Sequence, residues 1–126
     1  MADEFELVQF VTSEIGDDFI VSFFVAEPHD TDLGRSIILM RDKKWEHLLA
    51  DGERGAKVSD VDFAESEEAE GNFLKGIRID DTVAEFETTL RRYRLDLRHV
   101  GKSEMTAAKN TLKKMNYDGR FKLTVA

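Results

Sequence analysis

The segment DFIVSFFVAE, Asp18 to Glu27, restricts the fold more than any other part of the chain. With a strand's period of two it sets Phe19, Val21, Phe23 and Val25 on one face and Ile20, Phe24 and Ala26 on the other. Its β-branched and aromatic side chains predict a central strand buried on both faces. RSIILMR, Arg35 to Arg41, has the same two-sided apolar character, and the intervening PHDTDLG holds the only proline and a glycine, as a loop should. EFELVQFVTS reads as a first strand, so the three together predict an antiparallel meander.

A sheet that is apolar on both faces has to be covered on both. Two or three short helices cover one face, so the other needs sheet curvature or a second chain. A homodimer is the expected solution, with a barrel-like monomer as its competitor.

Further along, KKWEHLLADGERGAK places Trp45, Leu48 and Leu49 at helical spacing before glycines break the pattern, which predicts a short helix and a loop. VSDVDF and NFLKGIRI have strand character, and DDTVAEFETTLRRY reads two ways. Val83, Phe86, Leu90 and Tyr93 together with the capping-box spacing of Thr82 and Glu85 favour a helix, whereas Thr88 and Thr89 favour a strand. From Tyr93 onward the alternation is clean, with Tyr93, Leu95 and Leu97 opposed to Arg92, Arg94, Asp96 and Arg98. GKSEMTAAKNTLKKMN predicts a helix with Ser103 as N-cap and Met105, Ala108, Leu112 and Met115 along one stripe. The final RFKLTVA alternates as a half-exposed strand. The expected architecture is one α+β domain over residues 1–126, an antiparallel sheet of about five to seven strands with two or three helices.

Charge is laid out unevenly along the chain. Residues 1–70 hold 19 Asp and Glu against 6 Lys and Arg, a net of −13, while residues 71–126 hold 7 against 12, a net of +5. The basic residues expected to share an outward face are Arg92, Arg94 and Arg98, with Arg120 and Lys122 on a neighbouring strand and Lys102 close by. Such a patch would meet a carboxylate-rich surface, of this chain or of a partner. Glu65, Glu67, Glu68 and Glu70 form an acidic segment with almost no apolar surface to pack, which makes it the expected contact for a basic protein partner.

Several chemistries find no support in the residues. VGKS, Val100 to Ser103, sits between a predicted strand and helix like the end of a phosphate loop, but the motif's other glycine is replaced by Asp96. Weaker anion binding at that helix start stays open. Glu27, His29, Asp30 and Asp32 crowd one loop without a metal-ligand spacing, and a polar turn explains them better. None of His29, His47 and His99 has a serine at a recognised spacing. No catalytic residue, metal or cofactor is therefore assigned, and an enzyme is the less favoured class. Nucleic acid is disfavoured because an acidic surface, pI near 4.9, opposes phosphate.

No cysteine, acidic residues where a signal peptide would carry Lys or Arg, and no apolar run near the ~18 residues of a membrane span point to a cytoplasmic protein without membrane association. In size, acidity and lack of cysteine the chain is similar to many small inhibitor and immunity-type proteins that bind a basic enzyme, a likeness of composition without a motif. The expected function is non-catalytic binding through a charge-polarised surface. The alternative is a small enzyme or anionic-ligand-binding domain with a site assembled from dispersed carboxylates and arginines.

Overall fold

The computed structural model describes residues 5–27, 30–60 and 71–126. Four strands open the chain, β1 (Phe5–Ile15), β2 (Asp18–Glu27), β3 (Asp30–Asp42) and β4 (Lys57–Ser59). They pair in sequence order as an antiparallel meander. Next come β5 (Leu74–Ile79), β6 (Val83–Thr88) and β7 (Arg92–Asp96), then the helix α1 (Lys102–Met115) and β8 (Lys122–Val125). All eight strands lie in one sheet, ordered β4-β3-β2-β1-β7-β6-β5-β8. An all-antiparallel sheet of five to seven strands with two or three helices is thereby corrected: β1 with β7 and β5 with β8 run parallel, and α1 is the one α-helix among the described residues. The broader α+β class stands.

The sheet curls nearly closed. β4 meets the residues that lead into β5, with a bridge between Lys57 and Phe73 and backbone bonds from Val58 N–H to the Asn72 carbonyl (2.9 Å) and Leu74 N–H to the Ala56 carbonyl (2.8 Å). Inside, Phe23 of β2 stacks on Phe86 of β6 at 5.9 Å, and Phe86 on Tyr93 of β7 at 4.7 Å. Curvature thus brings together rings from strands that are not neighbours in the sheet. β1 follows β7 only from Phe5 to Leu7, and α1 packs against β1, β2 and β8. Met105, Ala108, Leu112 and Met115 enter the core, as the helical stripe predicts. Where β1 has left β7, the Val11 N–H donates to the Glu104 carboxylate of α1 (3.0 Å), which satisfies a strand edge that would otherwise be unpaired.

The open choice over residues 82–92 is decided, and three local expectations change, the first being that the loop read over PHDTDLG is largely strand, because β3 begins at Asp30. Residues 82–92 form strand, turn and strand, because Asp80 accepts the N–H groups of Thr82 (2.7 Å) and Val83 (2.9 Å) and the Thr82 hydroxyl bonds to Asp80 in place of a helix N-terminus. The helix expected around Trp45 is two single 3₁₀ turns, Glu46–Leu48 and Asp51–Glu53. Trp45 and Leu48 face outward there, 55% and 69% exposed, and Glu46 turns in. The N-cap of α1 is Gly101, with Ser103 inside the first turn. No helix among the described residues is long and apolar enough to cross a membrane.

The second face of β2 is only partly covered. Phe19, Val21, Phe23 and Val25 are buried, while Ile20, Phe24 and Ala26 are half-buried. On that outer face Phe10 lies parallel to Phe24 at 4.8 Å and stays 44% exposed.

Candidate functional site

Strand alternation builds a charged face on the outside of β5 to β8. Tyr93 and Leu95 point into the core, so Arg92 and Arg94 between them point out. On β6 the same rule buries Ala84 and Phe86 and exposes Glu85 and Glu87, and on β5 it buries Ile77 and Ile79 and exposes Arg78. A register shift between Leu74 and Gly76 adds Lys75 to this surface.

Pairing then fixes cross-strand rows. One row runs Arg92, Glu87, Gly76, Lys122; the next runs Arg94, Glu85, Arg78, Thr124. Cations of β7 and β5 thus flank carboxylates of β6. Gly76 leaves a gap in the first row, since it carries no side chain between Glu87 and Lys122. The result is an open groove of about 510 Å³ in which the described residues place five cations, Lys75, Arg78, Arg92, Arg94 and Lys122, against Glu85 and Glu87. The Arg92 Nε sits 3.0 Å from Glu87 Oε2, but both side chains are at least half exposed, so water weakens the pair.

Of the six basic residues singled out from sequence, the structure brings Arg92, Arg94 and Lys122 into this groove. The others lie elsewhere. Arg98 folds back on Asp96 through two bonds, Nε to Oδ1 at 2.9 Å and Nη2 to Oδ2 at 2.8 Å, and these hold the Asp96 carboxyl down at about 2. Arg120 is tied to Asp51 (2.6 Å) and Asp118 (2.8 Å), and Lys102 opens α1, exposed. Glu65, Glu67, Glu68 and Glu70 lie outside the described residues, as does His29. His47 and His99 are exposed, and among the described residues no group of three or more His, Asp or Glu can hold a metal ion.

Sequence reasoning missed Lys75, Arg78, Glu85 and Glu87. The signal was present in the alternation of NFLKGIRI and VAEFET, but whether those residues face Arg92 and Arg94 depends on pairings between distant segments.

Two buried ionic clusters support the strands beneath. Asp60, its side chain fully buried, accepts from Arg35 Nε (3.0 Å), the Tyr93 hydroxyl (2.9 Å) and Arg91 Nη1 (3.4 Å). Glu6 closes this cluster by pairing with Arg35 at 2.6 Å. Burial, and then the nearby Asp60 carboxylate, push the Tyr93 phenol far above its ordinary range, so it stays a neutral donor. The Arg35–Asp60 contact ties β3 to the end of β4, and Tyr93 ties β7 to both.

At the other end of β3, Arg41 is buried between two carboxylates. Its Nη2 reaches Glu46 Oε1 at 2.6 Å and Asp118 Oδ2 at 2.8 Å, and its Nη1 reaches Asp118 Oδ1 and the Met115 carbonyl, each at 2.8 Å. The Tyr117 ring covers the guanidinium at 4.1 Å and its hydroxyl donates to Glu46 (2.9 Å). Both clusters bury their charges, which makes them fixings of the fold, whereas Arg92, Glu87, Arg94 and Lys122 of the groove are exposed side chains. Comparisons with protein-family models, with curated proteins and with solved structures returned no significant match.

Proposed function

We propose that this chain is a non-catalytic binding protein of the cytoplasm that engages an acidic partner through the groove on the outer face of β5 to β8. The observation that carries this reading is the pair of cross-strand rows, which with Lys75 beside them place five cations against two carboxylates among the described residues on one open surface. An extended partner with carboxylates can lie along the rows, its charges over Arg92, Arg94, Arg78 and Lys122 and its backbone over the gap at Gly76. The openness of the groove suits a macromolecular surface better than a small substrate, which needs an enclosing pocket to remove it from water. The absence of cysteine supports the compartment.

A chain with net charge −8 repels acidic partners at long range, so the groove acts locally and gives selectivity more than speed. The likeness to inhibitor and immunity-type proteins suggested a basic partner. The groove has the opposite sign and so selects an acidic one.

Calorimetric titration of the protein with oligoglutamate at low ionic strength tests this. Binding that weakens as salt is added, and that is lost in the double variant Arg92→Glu with Arg94→Glu, is the expected result. Binding unchanged in that variant, or equal for oligolysine and oligoglutamate in the wild type, refutes it.

A further inference from the structure

The groove ends at β8, and β8 is the last strand of the sheet. The register fixes where its backbone points. Ile79 pairs with Val125 in parallel, and the Ala126 N–H donates to the Ile79 carbonyl at 3.0 Å. In a parallel ladder this pattern directs the backbone groups of Lys122, Thr124 and Ala126 toward β5. The N–H and C=O groups of Leu123 and Val125 therefore point away from the sheet. No described strand flanks them on that side.

The side chains of β8 agree with an open edge. On β5 the inward residues Ile77 and Ile79 are 3% and 0% exposed, whereas Leu123 and Val125, inward on β8, are only half-buried against the core. On the outward side Lys122 is exposed, and among the described residues no ion pair is formed by it. The edge thus offers backbone donors and acceptors, half-covered apolar side chains on one face and a cation on the other.

From this geometry we infer that β8 is the docking edge for an extended segment of a partner protein, which adds as a further strand. The inference rests on the groove reading and specifies it: the partner's residue beside Lys122 is acidic and extends the row Arg92, Glu87, Gly76, Lys122. Its residues on the inward face are apolar and cover Leu123 and Val125. The recognised chemistry is an extended segment that alternates acidic and β-branched apolar residues, with main-chain bonds giving affinity and the alternate side chains giving selectivity.

Amide hydrogen exchange read by NMR, with a synthetic peptide of alternating glutamate and valine about eight residues long as probe, tests the inference. In the free protein the amides of Leu123 and Val125 should exchange faster than those of Thr124 and Ala126, and saturating peptide should slow both. Leu123→Pro removes one outward donor and leaves the bonds to β5 intact. It should weaken the peptide by roughly tenfold, as the loss of one main-chain bond and its geometry implies. Lys122→Glu should weaken it as well, and a block peptide of the same composition should bind no better to the wild type than to Leu123→Pro.

Strand addition is overturned if the Leu123 and Val125 amides are already protected in the free protein, or stay unprotected when the peptide is bound. Peptide binding that survives Leu123→Pro but disappears in Arg92→Glu with Arg94→Glu leaves the groove reading standing and removes the edge. Concentration-dependent self-association of the free protein that Leu123→Pro abolishes would assign the edge to a second copy of the chain, and would equally overturn the inference.

Discussion

Replacing Arg41 by methionine should be among the most damaging single changes in the molecule. Arg41 is 1% exposed, and each of its N–H groups has a partner: Nε bonds to Glu46, Nη1 to the Met115 carbonyl and Asp118, and Nη2 to both carboxylates. Methionine fills much of the volume and leaves Glu46, itself 5% exposed, without its main counter-charge. Removing one partner from a buried ion pair costs about 3 to 5 kcal/mol, because the remaining charge stays desolvated. For 126 residues with an unfolding entropy near 2.1 cal/mol/K per residue, that loss lowers the Tm by about 10 to 20 °C.

Thermal unfolding followed by circular dichroism, with urea titration as a second measure, reads the effect. The triple variant Arg41→Met, Glu46→Gln, Asp118→Asn should recover much of the loss, since it removes the charges together with their partner. A single variant that loses less than about 1 kcal/mol would refute the reasoning, as that is the range of an exposed pair. So would a triple variant less stable than the single one.

Three further outcomes are expected. Hydrogen bonds from Arg41 hold the Asp118 carboxyl below its ordinary range; at Glu46 burial pushes upward, but bonds from Arg41, the Gly55 N–H and Tyr117 outweigh it and the net shift is downward. Both folded values lie below the unfolded ones, so this contribution is complete above the ordinary Glu value of 4.5 and is lost as pH falls through the folded values. Urea midpoints measured from neutral pH downward should fall less steeply in Arg41→Met than in the wild type, and parallel curves would contradict the assignment. At Gly34 an added Cβ would lie 2.6 Å from the Val25 carbonyl oxygen and 2.7 Å from the Phe24 ring. Gly34→Ala should therefore cost about 1 to 3 kcal/mol by displacing Phe24 from its stack on Phe10, and an unchanged urea midpoint would rule this out. Tyr93→Phe deletes a donor to the buried Asp60 carboxylate and should cost about 2 kcal/mol in the same assay, with a cost near zero showing that Arg35 and Arg91 alone satisfy Asp60.

Elements whose pattern is local were legible in the sequence. The alternation of DFIVSFFVAE and RSIILMR marks β2 and β3, and Met105, Ala108, Leu112 and Met115 mark α1, because in each case the buried set repeats with the period of the element. What depends on distant pairing was hidden. β4 overlaps the start of VSDVDF, whose strand character did not show that it pairs with β3, and the parallel contacts of β1 with β7 and β5 with β8 join segments far apart in the chain. Trp45 and Leu48 have helical spacing yet face water, because the buried Arg41 draws Glu46 inward. A clue to Arg41 was present: it shares the parity of Ile37 and Leu39, both buried, and so had to point into the core. For the groove, Arg92 and Arg94 could be read from their alternation with Tyr93 and Leu95. Arg78, Glu85 and Glu87 could be placed beside them only once the order β7-β6-β5-β8 was known. Arg98 broke the pattern because the chain leaves the sheet after Asp96 and the arginine folds back onto that carboxylate.

The most direct measurement is a map of backbone amide shifts while oligoglutamate is added at low salt. Changes concentrated on Lys75, Arg78, Arg92, Arg94 and Lys122, reversed by added salt, are the predicted result. Changes spread evenly over the surface, or centred on β1 to β3 with the β5 to β8 face unmoved, would contradict the groove as the binding surface.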